Sequence, residues 1–351
     1  VTTRSAARTS WRRRVRLVVA LALVVALVVA LDDNRAELAG ALHRLSRVRW
    51  GWLAVAGFLE ALSMGPFARL QRWLLRAGGA RLGFWRMVGI SLAGNALGTS
   101  LPGGAAWSVV WVFRQLRRRG ADSALTAWAL IMAGVLSGVT LFLLLVAGLW
   151  LAGGHGPLHV LRWPTLGVVV AFAAGLSIAV LVVKGSKSRV VVTALAGRLA
   201  SSSQRLPAGT AALDAVRDLR ARLSTVFVHA SSWAKVVAFA AANWLLDLAS
   251  LVACILAVRG AVPWRGILVV YAMTEIAASV PVTPGGIGIV EGSMVLLLDA
   301  YGSHTSVALA TVALYRVLSF WGLAALGWIA WLVMAIGERR AARRTLDEPG
   351  A

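Results

Sequence analysis

The chain has 351 residues, 59% of them hydrophobic and 14% charged, with a formal net charge of +22 and one cysteine, Cys254. Soluble domains run near 25% charged residues, so this composition excludes an ordinary soluble domain, and a lone cysteine in an apolar run excludes a disulfide framework. The basic excess is no nucleic-acid surface either: its arginines stand in short clusters beside apolar spans, and no nucleic-acid-binding motif accompanies them.

Residues 1–15 carry five arginines and no acid, which puts this tail in the cytoplasm. A first helix over about 16–31 follows. "DDNRAEL" comes after it in place of a small-residue cleavage site, so the helix reads as uncleaved. A second helix, about 50–70, returns to a basic loop. Two short apolar arms come next, 87–100 and 105–113, joined by "LPGG" and followed by "RQLRRRG". A spanning helix needs about 20 residues, so the two arms predict a re-entrant hairpin open to the cytoplasm. A long helix over about 122–152 then exits. The turn "GGHGPLHVLRWP" holds His155 and His159, which read as loop residues and not as metal ligands.

A span over 165–183 leads to the polar stretch 184–232. There Leu213, Val216, Leu219, Leu223 and Val226 recur at helical spacing, as in an amphipathic helix on the cytoplasmic membrane surface or a solvated linker helix. Helix 233–258 exits again. The second pair of arms, 267–280 and 287–298, brackets "SVPVTPGGIGIVEG". Its flanking loops lack arginine clusters, so this hairpin is expected to open outward. A last helix over about 306–337 ends in "ERRAARR", leaving 338–351 as a cytoplasmic tail.

The two hairpins match. Pro102-Gly103-Gly104 and Pro284-Gly285-Gly286 lie 182 positions apart, and the same offset relates Gly120 to Gly302, Leu116 to Leu298, Val88 to Val270, and "VLS" at 135–137 to "VLS" at 317–319. Together these indicate an internal duplication, repeat 1 over about 50–152 and repeat 2 over about 233–337, within one transmembrane domain spanning 16–337. The expected fold is an all-α polytopic membrane protein, an inverted repeat with two re-entrant Pro-Gly-Gly-interrupted helical hairpins. Such interruptions at corresponding positions of two halves mark the binding site of a transporter.

Polar groups fall at membrane depth. Arg316 lies about 15 Å into the last helix at 1.5 Å per residue. Glu275 and Glu291 flank the second Pro-Gly-Gly, Glu60 and Asp247 fall near the centres of their helices, Asn243 precedes Asp247 by one turn, and Asn95 occupies the arm before the first Pro-Gly-Gly. Ionisable groups there usually face a polar cavity. Two arrangements are open. Arg316 pairs with Glu291 or Glu275 and holds the hairpin to the last helix. Alternatively, Arg316 and the Pro-Gly-Gly N–H groups meet an anionic phosphate, while the carboxylates meet a cationic group or exchange protons.

"PVTPGGIGIVEG", "YR" at Tyr315-Arg316, "GN" at Gly94-Asn95 and the earlier "LPGG" resemble the lysylphosphatidylglycerol synthase transmembrane-region family, which includes the flippase half of bacterial multiple-peptide-resistance factors. The resemblance covers roughly 15–337. It implies paired re-entrant segments that move or modify charged lipids, and it points to Pro284, Gly285, Gly286, Gly288, Glu291 and Arg316, with Asn95, Pro102, Gly103 and Gly104 in the other half. "AAWS" after the first Pro-Gly-Gly departs from the Gly-plus-acid continuation of the second, so the halves are not equivalent. No soluble aminoacyl-transferase segment follows "ERRAARR", so lipid aminoacylation by this chain is not expected.

The expected function is a flippase of the bacterial cytoplasmic membrane, not an enzyme, with both termini cytoplasmic. It would need no cofactor or metal and would act on membrane lipids with charged headgroups, such as aminoacyl-phosphatidylglycerol or a polyprenyl-phosphate-linked sugar. A cytoplasmic lipid-modifying enzyme is a possible partner; nucleic acid is not. No phosphate-binding G-x-x-x-x-G-K-[ST] loop exists to support ATP hydrolysis. Two rivals are a membrane glycosyltransferase, for which Asp32-Asp33 would supply external carboxylates unless they only cap the next helix, and a scaffold that docks a synthase through about 207–226.

Overall fold

The computed structural model describes residues 35–101, 103–154, 156–170, 230–279 and 283–347. The first helix with Asp32 and Asp33, Pro102, His155, most of the 165–183 span, the polar stretch up to 229 and the last four residues lie outside them.

Among the described residues every regular element is helical. In chain order these are α1 (Arg35–Ser46), α2 (Trp50–Ala77), α3 (Phe84–Ser100), α4 (Gly104–Arg117), α5 (Ser123–Ala152), α6 (Ala230–Ala257), α7 (Ile267–Ala278), α8 (Ile289–Ala300), α9 (Thr305–Arg316) and α10 (Leu323–Asp347). A six-residue π-turn, Val317–Gly322, joins α9 to α10 in one rod. Among the described residues, four helical stretches are long and apolar enough to cross a membrane: Trp50–Ala77, Ser123–Ala152, Trp233–Ala257 and Thr305–Arg339. Trp50, Trp85, Trp163 and Trp264 stand exposed on the outside, as they do when the surrounding solvent is lipid and its interface.

The arms of the first hairpin are longer than their apolar runs. α3 has 17 residues and α4 has 14, because Phe84, Trp85 and Arg86 at one end and Arg114 to Arg117 at the other continue the helical hydrogen bonding beyond the apolar part. α8 instead starts later than its apolar run. Gly288, at φ 88°, lies outside helical space, so the first helical residue is Ile289 and not Ile287.

Two apolar cores lie at opposite ends of the long helices. One gathers the second half of α2 (Leu70, Leu74), α3 (Met87, Ile90), α4 (Val112, Leu116) and the first halves of α5 and α6. The other gathers the start of α2 (Ala56), the second halves of α5 and α6, α7, α8 (Met294, Leu298) and α9. Each hairpin therefore packs into its own end, and the long helices α2, α5 and α6 serve both. Between the cores these helices turn polar: Glu60 and Ser63 on α2, Thr140 on α5, and Asn243 and Asp247 on α6. The hairpin tips meet near this layer, where α3 touches the second Pro-Gly-Gly turn.

The 182-residue offset is visible in backbone detail. Gly103 (φ 66°, ψ 20°) and Gly285 (φ 60°, ψ 19°) make the same left-handed corner, open to glycine at little cost. The helix ends match too. Ala121 N–H donates to Leu116 O and Gly120 N–H to Arg117 O, as Ser303 does to Leu298 and Gly302 to Asp299. α5 and α9 then start at Ser123 and Thr305, again 182 apart.

Close approach also holds the first tip shut, since a methyl group at Gly104 would collide with the carbonyl oxygens of Leu97 and Gly98, whereas one at Gly138 in α5 would meet nothing within 4 Å. Gly104→Ala is expected to lower stability by about 1–3 kcal/mol through overpacking. Gly138→Ala is expected to be neutral or stabilising by up to about 1 kcal/mol. Thermal unfolding in detergent checks the pair; equal effects would contradict the tight tip.

Candidate functional site

The second Pro-Gly-Gly forms a single 3-10 turn, Pro284–Gly286. Its corner bends the chain away from helical geometry and leaves the Gly285 carbonyl without a helical donor. Arg316, the last residue of α9, meets it: Nη2 donates to Gly285 O at 3.1 Å, and Nε donates to Glu291 Oε1 at 2.6 Å. The other oxygen of the same carboxylate, Oε2, accepts the Gly288 N–H at 2.6 Å and so caps α8. The guanidinium carbon lies 4.4 Å from the Phe320 ring centroid, in the π-turn. One arginine thus ties the broken backbone, the start of α8 and the last rod together.

Of the two arrangements open in the sequence, the structure contains the pairing with Glu291. It is partly accessible, with the Arg316 side chain 13% exposed and that of Glu291 36%. The N–H groups of Gly104 and Gly286 close their own turns, onto Leu101 O and Thr283 O. Gly103 and Gly285 supply the corners, and Gly288 supplies the N–H that Glu291 caps.

A second constellation lies beside this clasp. Asp247 on α6 accepts from two tyrosines, Tyr271 OH on α7 at 2.9 Å and Tyr315 OH on α9 at 2.7 Å. Tyr315 OH also lies 3.5 Å from Glu275 Oε1. Glu60 lies buried on α2, the helix that packs against α6. Helical spacing builds this site: Tyr271 and Glu275 are four residues apart on α7, and Asn243, Asp247 and Ser250 form one stripe on α6. Ser250 Oγ donates to Ala56 O, fixing α6 against α2 one turn from Glu60. Tyr315 belongs to this carboxylate group and Arg316 to the clasp, so adjacent residues join the two.

Asn95 is half-buried on α3. Its carbonyl accepts from Thr99 Oγ1, and it takes no part in the bonds of either constellation. The first hairpin has no counterpart of the clasp: the positions 182 residues before Glu275, Glu291 and Arg316 are Ala93, Val109 and Gly134. Sequence reasoning noted Glu60 at depth without placing it in the site, and it passed over Tyr271 and Phe320. The signals were an acid near a helix centre and a tyrosine one turn before Glu275.

The clasp makes Arg316 and Glu291 interdependent. Arg316→Ala, Glu291→Gln and the double variant, compared by thermal unfolding in detergent, are expected to give a coupling energy of about 1–3 kcal/mol. Additive losses would mean that the pair contributes nothing beyond its separate contacts.

The family description "Lysylphosphatidylglycerol synthase TM region" matches residues 16–327, nearly the whole chain. No curated protein matches it. With the match spanning both hairpins and every residue of the clasp and the carboxylate group, the chain belongs to the lysylphosphatidylglycerol synthase transmembrane-region family.

Proposed function

We propose that this membrane protein moves a lipid with a charged headgroup across the bacterial cytoplasmic membrane, without itself catalysing a reaction. The observation that carries this reading is the polar layer, where a guanidinium, an opened helix and four carboxyls gather between two apolar cores. Charged and unsatisfied backbone groups are expensive inside a membrane and are retained where something polar passes. Family membership supports a lipid as the cargo.

Both signs of charge are available to a headgroup. Arg316 offers its accessible edge to a phosphate, while Glu291, Glu275 and Asp247 suit a cationic aminoacyl group. The tails stay in the bilayer as the headgroup passes between the tips. The two hairpins, each packed at its own end, act as re-entrant elements of an inverted repeat, and rocking of one half on the other alternates access. In this reading the termini are cytoplasmic, and a lipid-modifying enzyme on that side is the natural partner.

Proteoliposomes containing the purified chain test this with lysyl-phosphatidylglycerol, phosphatidylglycerol and a polyprenyl-phosphate sugar, read by headgroup accessibility. One lipid is expected to move, and Arg316→Ala or Glu291→Gln is expected to slow it at least tenfold. Folded protein that moves none of the three would refute translocation of these lipids.

A further inference from the structure

Counting hydrogens in the carboxylate group gives a result that the translocation reading does not require. Asp247 receives a tyrosine hydroxyl on each of its two oxygens, so it acts as an acceptor at both. Tyr315 has one hydroxyl hydrogen, and at 2.7 Å that hydrogen belongs to Asp247. Tyr315 OH also lies 3.5 Å from Glu275 Oε1, so one tyrosine stands between two carboxyl groups, and like charges that close are relieved when one of them holds a proton. Glu60 is buried on α2, which packs against α6, and forms no ion pair among the described residues, so a proton is the economical way to neutralise it there.

Two buried side chains on α2 and α6 carry oxygens without a partner. Glu60 is 3% exposed, and its Oε2 has no partner. Asn243, 7% exposed and one turn from Asp247 on the same face of α6, has an unpartnered Oδ1. Among the described residues the surrounding ionisable groups are Glu60 from α2, Asp247 and Cys254 from α6, Tyr271 and Glu275 from α7, Tyr315 and Arg316 from α9, and Glu291 across the clasp. α5 has no ionisable residue. Arg316 is the nearby cation, and its charge acts on Glu275.

We propose that Glu60, Asp247 and Glu275 form a proton-binding site, and that release of the Glu275 proton draws Arg316 away from Glu291 and the Gly285 carbonyl. On release, the Oε–H bond of Glu275 breaks, the electron pair stays on the carboxylate, and the proton passes to water admitted to the polar layer. The new anion competes with Glu291 for one guanidinium. Proton exchange thereby loosens the contact that holds the broken helix to the last rod. The consequence for transport rests on the translocation reading; the proton site does not.

Infrared difference spectra of the full chain in phosphatidylglycerol nanodiscs, recorded as pH is raised, test this through the carbonyl stretch of protonated carboxylic acids. Wild type is expected to show a band that disappears on titration. Glu275→Gln and Glu60→Gln should each remove part of it, and Tyr315→Phe, which keeps every carboxyl, should shift it. No titrating band in wild type, or a band unchanged in all three variants, would overturn the site. In proteoliposomes, wild-type lipid movement is expected to change at least threefold on reversing a pH gradient. Lipid movement without the band refutes the proton site alone, whereas the band without lipid movement refutes translocation alone. Wild-type movement that ignores the gradient overturns the proposed link to Arg316.

Discussion

A carbonyl freed from its helix inside a membrane has to find a donor, and in this protein the donor is Arg316. That requirement organises the second half of the chain. The corner at Gly285 frees the oxygen, Arg316 meets it, Glu291 neutralises Arg316, and the same carboxylate caps the helix that the corner allows to start. Each member answers a need created by another. Phe320, on the same rod, lies over the cation and packs its ring against Gly285, so the last rod is fixed to the hairpin through backbone, charge and ring at once.

The first hairpin solves the same backbone problem by different means. Its corner has nearly the same dihedral angles, yet its tip is closed by contact with backbone where Gly104 lies against the Leu97 and Gly98 carbonyls. The two hairpins thus divide the work. One half supplies a tightly packed, uncharged tip; the other concentrates the ionisable groups. The long helices α2, α5 and α6 bridge the two cores, so the polar layer lies where the halves share their support.

Much of this was legible in the sequence because lipid imposes simple rules. Apolar run length located the long helices, and the Pro-Gly-Gly pair with its constant offset located both breaks. Element ends were less legible: α3 and α4 extend through arginines and aromatics that interrupt the apolar run, and the start of α8 depends on the backbone at Gly288. The pairing of Arg316 with Glu291 over Glu275 was not readable, because both acids lie within reach in sequence terms and only the path of the corner decides. The tyrosines that bind Asp247 were hidden for another reason. A tyrosine in an apolar helix looks like packing until its hydroxyl is given a partner from a different helix.

The π-turn after Arg316 has a rotational consequence. A π-turn takes in one residue more per turn than an α-helix, so everything beyond it is turned by about 100° relative to an unbroken helix. α9 therefore addresses α6 and α8, while α10, on the same rod, presents a different face to α3 of the other half. A straight helix would have to choose between those two neighbours. The wide turn lets one rod present suitable faces to both.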